Sequence, residues 1–160
     1  MKNLLKIILI LILILCHQSK SFAKIQNKIV LKVNNEIITD YELKNKILSL
    51  IMLSGEELNQ KNINKLKKPA LDSLIQHKLK KIELSKYKIK TNNNQIQNYL
   101  LSVSSNNIEN FKKNFGDNNL SFQLYLDEVE TQFKWQNLIY KLYSNKIDFD
   151  DNSINEDLKN

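Results

Sequence analysis

The sequence predicts a mostly α-helical domain with a small β-hairpin near its N-terminus. Two glycines and one proline among 160 residues argue against a turn-rich β protein. Leucine, lysine, glutamate and glutamine are abundant, and these residues favour helices. A chain of this length is sufficient for one hydrophobic core. We therefore expect five or six helices arranged around a single core.

The hairpin and the first helix are predicted by the segment Ile29–Leu53. Apolar residues alternate through Leu31 and Val33, as they do in a half-buried strand. Asn34–Asn35 fits the turn, because asparagine tolerates a positive φ, and Glu36–Ile38 returns as a second strand. A two-stranded hairpin is marginally stable alone, so we expect helices to cover it.

Short polar residues, glycine and proline mark the predicted helix boundaries. Thr39 or Asp40 caps the first helix, which carries Glu42 in its first turn and ends before Gly55. Pro69 fits the start of the second helix, where a missing N–H costs nothing. A polar and partly helical connection is predicted at Ser54–Lys68. Further helices are predicted at Pro69–Ser85, at Asn93–Ser104, at Ile108–Phe115, which Gly116 ends, and at Ser121–Asn145, which is the longest. A strand at Ile147–Asp150 and a final helix from Asn152 or Ser153 complete the predicted elements.

Basic charge is concentrated in Lys61–Lys90, which contains ten lysines and two acidic residues. Such a stripe fits a solvated helix face, or a binding surface for a membrane, a nucleic acid or an acidic polypeptide. The chain has 24 lysines and no arginine, so bidentate arginine contacts to bases and phosphates are excluded. We therefore expect a solvated helix face and no nucleic-acid partner.

The first 23 residues have the pattern of a cleaved secretory signal peptide. Two lysines flank its start, an apolar segment follows, and Ser21–Ala23 has the small-x-small pattern that predicts cleavage after Ala23. A retained membrane anchor is the alternative, but the uninterrupted apolar run of nine residues is shorter than the ~20 needed to span a bilayer. Lipid attachment at Cys16 is disfavoured by the bulky leucine before it. The expected mature domain, residues 24–160, contains no cysteine.

No combination of residues predicts catalysis or a bound metal. His17 lies in the predicted signal peptide, and His77 is flanked by Lys78 and is expected on the solvated surface. The sequence has neither a histidine and cysteine cluster with metal-ligand spacing nor a glycine-rich phosphate loop. Three acidic residues of the last long helix have a spacing that scatters them around it, namely Asp127, Glu128 and Glu130. We therefore expect no enzyme activity and no cofactor.

The order of these features resembles the N-terminal domain of SurA-like chaperones. A signal peptide, a short strand, the sequence VNNEIIT at Val33–Thr39, an acidic helix start and a helical body follow one another in this pattern. The resemblance extends over about Lys28–Leu158 and includes the N-terminal segments of the PpiD and PrsA foldases. It implies a periplasmic, ATP-independent chaperone that binds unfolded outer-membrane proteins or other envelope proteins.

In SurA-like proteins a parvulin-type prolyl isomerase domain follows this segment. Here about ten residues remain after Asp150, so the resemblance implies polypeptide binding without isomerase activity. Clients would bind in a groove between the hairpin-covered helices and the last long helix. The candidate client-binding residues are Met52, Phe111, Phe115, Tyr125 and Phe133. Their periodicity also predicts core positions, and it does not separate the two roles.

Two other functions are also compatible with the sequence. The domain would serve as an adaptor if it docked on one folded partner, such as a separate isomerase or an assembly complex. It would be a peripheral membrane protein if Lys61–Lys90 bound anionic lipid, and such binding would depend steeply on salt. A holdase binds many unfolded chains weakly, whereas an adaptor binds one folded protein specifically. The sequence does not indicate an oligomeric state.

Overall fold

The computed structural model of the protein describes residues 28–144. The predicted fold class, mostly α with a small N-terminal hairpin, is confirmed. The predicted signal peptide, the predicted strand at Ile147–Asp150 and the predicted final helix lie outside the described residues. The elements are β1 (Ile29–Val33), β2 (Glu36–Thr39), α1 (Asp40–Ser54), α2 (Gln60–Leu84), α3 (Asn93–Val103), α4 (Ile108–Asp117) and α5 (Phe122–Tyr143).

The hairpin has one covered face and one solvated face. β1 and β2 pair antiparallel, with Leu31 opposite Ile38. Asn34 adopts a φ of 57°, as predicted for the turn. Ile38 is fully buried, whereas Ile37 on the other face is 40% exposed. The expectation that helices cover the hairpin is therefore met on one face only.

Glu42 holds the junction between β2 and α1. Its Oε2 accepts hydrogen bonds from the Thr39 N–H at 2.8 Å and from the Thr39 hydroxyl at 3.0 Å. Thr39 Oγ1 in turn accepts from the Glu42 N–H, which completes a capping box. The second oxygen of Glu42, Oε1, accepts from Lys78 Nζ at 2.8 Å and so ties α1 to α2. Gly55, at a φ of 67°, ends α1 as predicted.

Helix α2 begins earlier than predicted, because Asn59 caps it. Pro69 therefore lies inside the helix, and the prediction that it begins the helix is wrong. The turns on both sides of Pro69 pack against α1 through Ile63, Leu66 and Ala70. This packing outweighs the helix-breaking tendency of the proline.

Asparagine and serine side chains begin the other three helices. Asn92, Asn107 and Ser121 each accept a hydrogen bond from an N–H in the first turn. The prediction that Gly116 ends α4 is wrong, because the helix includes Gly116 and ends at Asp117. Asn119 adopts the left-handed conformation after it, at a φ of 54°, since asparagine also tolerates this region. The last long helix is not the longest, because α5 has 22 residues and α2 has 25.

Buried residues of the described chain form two clusters instead of the single core that the sequence predicts. The first cluster joins α1 to α2 and contains Ile47 and Ile51. The second joins α3 to α5 and contains Ile96 and Leu100. Helix α5 contacts α2 through hydrogen bonds and ion pairs. A polar boundary therefore separates the two clusters, and this boundary is where the candidate site lies.

Replacement of Pro69 by alanine is expected to stabilise the protein. Pro69 is exposed and lies in the middle of α2, where it lacks the N–H that would donate to the preceding turn. We expect Pro69→Ala to raise the free energy of unfolding by about 1–2 kcal/mol, measured by urea denaturation. Lys67→Ala, an exposed neighbour in the same helix, is the control and should change it by less than about 0.5 kcal/mol. A lower free energy of unfolding in Pro69→Ala would contradict this expectation and would show that the packing of Ala70 against α1 depends on the proline.

Glu42 should contribute stability that depends on pH. Burial raises the pKa of its carboxyl, but hydrogen bonds from Lys78 and Thr39 lower it more, so the pKa lies below 4.5. Since the folded pKa is lower than the unfolded one, the stabilisation is complete above pH 4.5 and is lost as the pH falls through the folded pKa. We expect Glu42→Gln to cost about 2 kcal/mol near neutral pH and much less in acid, by urea denaturation at both.

The matched control for this experiment is Glu57→Gln. The Glu57 side chain is exposed, so its replacement should change the free energy of unfolding by less than about 0.5 kcal/mol at either pH. An equal loss for Glu42→Gln at both pH values would contradict an ionic role for this carboxylate.

Candidate functional site

A cavity of about 470 Å³ opens between α1, α2, α3 and α5. This volume lies within the range typical of ligand-binding pockets. Most of the lining residues of helix α5 recur at spacings of three or four, so they form one stripe along the helix. The stripe consists of Tyr125, Glu128, Val129, Gln132, Phe133 and Gln136. At 1.5 Å per residue it is roughly 16 Å long.

Amide and hydroxyl side chains line much of the cavity. Asn45 and Ser49 of α1 and Thr131 of α5 are buried. Asn45 Oδ1 accepts a hydrogen bond from the Ser121 N–H at 2.7 Å, which fixes the start of α5 against α1. The other members of this polar set are Ser73, Gln76, Gln132 and Gln136. Together these groups present both donors and acceptors to the cavity.

Aliphatic and aromatic side chains form the rest of the lining. Leu50 and Leu53 come from α1, and Leu53 is 43% exposed. The Tyr99 ring of α3 contacts Phe133 edge to face, with ring centroids 5.8 Å apart. The Tyr99 hydroxyl lies 3.3 Å from that of Tyr125, and burial together with this hydrogen bond raises the pKa of Tyr125. The tyrosines therefore join α3 to α5 beside the cavity.

Two of the charged side chains that line the cavity neutralise each other. Lys46 of α1 forms an ion pair with Glu128 of α5. Lys80 of α2 donates from Nζ to Gln132 Oε1 at 2.6 Å, and this partner is neutral. Within residues 28–144, Lys80 has no carboxylate partner. The cavity therefore carries one ammonium group whose charge is not balanced by a neighbour.

His77 is buried, and the prediction that it lies on the solvated surface is wrong. Its Nε2 lies 3.0 Å from Asp127 Oδ2, and Lys81 Nζ lies 3.0 Å from the same oxygen. Burial lowers the pKa of His77 more than Asp127 and Glu128 raise it, so the pKa lies below 6.5. For Asp127, burial raises the pKa, but Lys81 and His77 lower it more. The prediction failed because α5 covers the side of α2 on which His77 lies.

The predicted solvated lysine face of α2 also includes lysines with structural partners. Lys78 is 8% exposed and lies between the carboxylates of Glu42 and Glu36. Lys81 is half-buried and pairs with Asp127. The expected solvation holds for exposed members of the row such as Lys67. The lysine row therefore serves partly to join α2 to other elements.

The cavity brings together two of the five residues that the sequence predicts to bind clients. Tyr125 and Phe133 line it. Phe111 and Phe115 pack edge to face at a centroid distance of 5.4 Å, and Phe115 is fully buried. Met52 is half-buried on α1 and is not a lining residue. Client contact by any of these side chains stays a prediction.

The polar part of the lining is missing from the sequence-based prediction. Ser73, Gln76, His77 and Lys80 recur at helical spacing, so they occupy one face of α2. A polar helix face is usually a solvated surface, and the sequence pattern does not distinguish the two cases. The position of α5 is what makes this face part of a cavity.

The described chain, residues 28–144, includes no helix that is long and apolar enough to cross a membrane. Within the same range, no three histidine, cysteine, aspartate or glutamate side chains are grouped so that they could hold a metal ion. What the cavity itself presents is apolar surface, amide and hydroxyl groups and one ammonium group. These groups suit noncovalent binding of a molecule with both apolar and hydrogen-bonding parts.

Residues 2–127 match the family described as the SurA-like N-terminal domain. The chain belongs to this family. The match includes the hairpin, α1 to α4 and the first part of α5, and it confirms the resemblance that the hairpin and helix-start pattern indicates. No curated protein and no solved structure gave a significant match.

The SurA-like N-terminal domain is a non-catalytic domain of the chaperone type. Membership of this family therefore points to a chaperone-related or adaptor role. The matched residues contain both α1 and α2, which form two sides of the cavity.

The buried histidine predicts a loss of stability in mild acid. Because the folded pKa of His77 is below the ordinary 6.5, the unfolded state takes up the proton first. This group therefore leaves the free energy of unfolding unchanged above pH 6.5 and reduces it as the pH falls from there toward the folded pKa. His77→Gln keeps a donor for Asp127 and should flatten the profile, measured by urea denaturation between about pH 5 and pH 8. An equally steep profile in the variant would contradict this role.

Proposed function

We propose that this SurA-like domain is an ATP-independent holdase that binds unfolded outer-membrane proteins and other envelope proteins. The single observation that carries the proposal is the cavity between α1, α2, α3 and α5. We also propose that the protein acts in the periplasm, because residues 1–23 have the pattern of a cleaved signal peptide.

The dimensions of the cavity support binding of an extended segment. The α5 stripe is roughly 16 Å long, and an extended chain advances about 3.3 Å per residue, so the stripe accommodates about five client residues. Strands of outer-membrane barrels alternate apolar and polar side chains. In the proposed complex the apolar side chains contact Leu50, Val129 and Phe133.

The polar lining supports recognition of the client backbone. An extended segment has N–H and C=O groups that lose water when they are covered, and each needs a new partner. The primary amides of Gln76 and Gln136 each contain a donor and an acceptor, so they can pair with a backbone of any sequence. This property fits a protein that binds many clients.

The expected affinity is modest. One or two large apolar side chains buried in the cavity contribute roughly 2–6 kcal/mol before the cost of ordering the client. Binding of this strength delays aggregation by mass action on the unfolded state and still allows release without ATP.

An adaptor role is the second candidate, and the solvated face of the hairpin favours it. Val30 and Ile37 are 42% and 40% exposed there, and Ile29 at the start of β1 is 64% exposed. Apolar side chains grouped at a solvated sheet face are typical of protein interaction surfaces. This surface lies outside the cavity, so the two roles can be separated by mutation.

The holdase proposal predicts different effects for two leucines of equal exposure. Leu53 lines the cavity and is 43% exposed, whereas Leu79 lies elsewhere on α2 and is 44% exposed. We expect wild-type protein to suppress aggregation of an unfolded outer-membrane barrel protein at near-stoichiometric ratio, measured by light scattering. Leu53→Gln should weaken suppression severalfold, because it removes apolar surface from the binding site, and Leu79→Gln should not.

Two results would contradict this proposal. Equal effects of Leu53→Gln and Leu79→Gln would show that the cavity is not the binding site. A wild-type protein that does not suppress aggregation would exclude the holdase and favour an adaptor that binds one folded protein.

A further inference from the structure

The unbalanced charge of the cavity indicates which client segments it prefers. Three charged side chains, Lys46, Lys80 and Glu128, line it. The ion pair between Lys46 and Glu128 cancels two of these charges. Lys80 contacts Gln132 and has no carboxylate partner in the described part of the chain. The lining with its ion pair therefore has a net charge of about +1, and this charge is held by Lys80.

Lys80 is adjacent to the apolar part of the lining. Its partner Gln132 directly precedes Phe133 on α5 and follows Val129 by three residues. When an apolar side chain of the client lies over Val129 and Phe133, the client residues before and after it are therefore close to the Lys80 ammonium. The residues before and after the apolar one are each displaced by about 3.3 Å along an extended segment, which is within the reach of a lysine side chain.

We propose that the cavity selects extended segments in which an acidic side chain lies next to an aromatic or aliphatic one, with Lys80 as the residue that binds the carboxylate. This inference rests on the proposed holdase function, since it names the client feature that the same site prefers. The neutral glutamine at Lys80 fixes the ammonium without cancelling its charge, so the positive charge is retained for a client.

The size of the preference follows from the exposure of the site. Partly exposed ion pairs contribute modestly, so a client carboxylate should strengthen binding about three- to fivefold over the isosteric amide. Since the pair is near solvent, the ratio should fall when the salt concentration is raised from about 0.05 M to about 0.5 M.

The test uses two labelled peptides that differ in one residue. Both are short, extended peptides with alternating phenylalanine, and one has aspartate beside a phenylalanine where the other has asparagine. Fluorescence anisotropy gives the ratio of their dissociation constants for the full protein. We expect a ratio of about three to five for wild type and about one for Lys80→Gln.

Two further variants make the result specific. Lys80→Arg retains the charge and should restore the ratio. Lys67→Gln removes an exposed lysine of the same helix outside the cavity and should keep the wild-type ratio. A ratio near one for wild type, or an equal ratio in wild type and Lys80→Gln, would overturn the role of Lys80 but leave the holdase proposal standing. If neither peptide binds to the wild-type protein, both proposals are overturned.

Discussion

The Glu42 carboxylate is the interaction on which the arrangement of the helices depends. One of its oxygens completes the capping box that begins α1, and the other accepts from Lys78 of α2. Because Lys78 is buried, its ammonium group would be strongly destabilising without this partner. The hairpin end, α1 and α2 thus meet at this contact, and Glu36 of β2 adds a second carboxylate 3.7 Å from Lys78 Nζ. The residue beside Lys78 is His77, whose contact with Asp127 extends the same polar junction to α5.

The cavity exists because the two apolar clusters do not merge. The first cluster belongs to α1 and α2, and the second belongs to α3 and α5 with aromatic residues of α4. Where α1 faces α5, the sequence supplies Asn45 and Ser49 of α1 and Thr131 of α5 instead of large apolar side chains. These polar side chains do not interlock as a hydrophobic core does. The space that they leave is the cavity, whose lining combines apolar, amide and hydroxyl groups.

Local interactions explain which parts of the fold were predictable. The turn at Asn34, the cap at Thr39 and the left-handed Gly55 each depend on residues within a few positions, and their sequence patterns are specific. Pro69 and His77 were wrongly assigned because their environments depend on α1 and α5, which are distant in sequence. Local propensity is a weak guide where such tertiary packing decides.

The candidate site shows the same limit. Tyr125 and Phe133 were predictable as members of an apolar helix face, but their position at a cavity was not. The amides that line the other side have no distinguishing pattern. A glutamine at helical spacing has the same sequence signature on a solvated face as on a cavity wall.

Apart from the charge of Lys80, the lining of the cavity makes no strong polar demand on the proposed client. Asn45 is already bonded to Ser49 and to the Ser121 backbone, and Lys46 is paired with Glu128. In residues 28–144 one buried side-chain oxygen lacks a hydrogen-bond partner, Oε2 of Glu56, and it is not in the lining. A site that holds an unsatisfied buried group discriminates sharply for the ligand that satisfies it. This lining instead offers apolar surface and amide groups that can pair with a backbone of any sequence, which is the balance that the proposed broad and reversible binding requires.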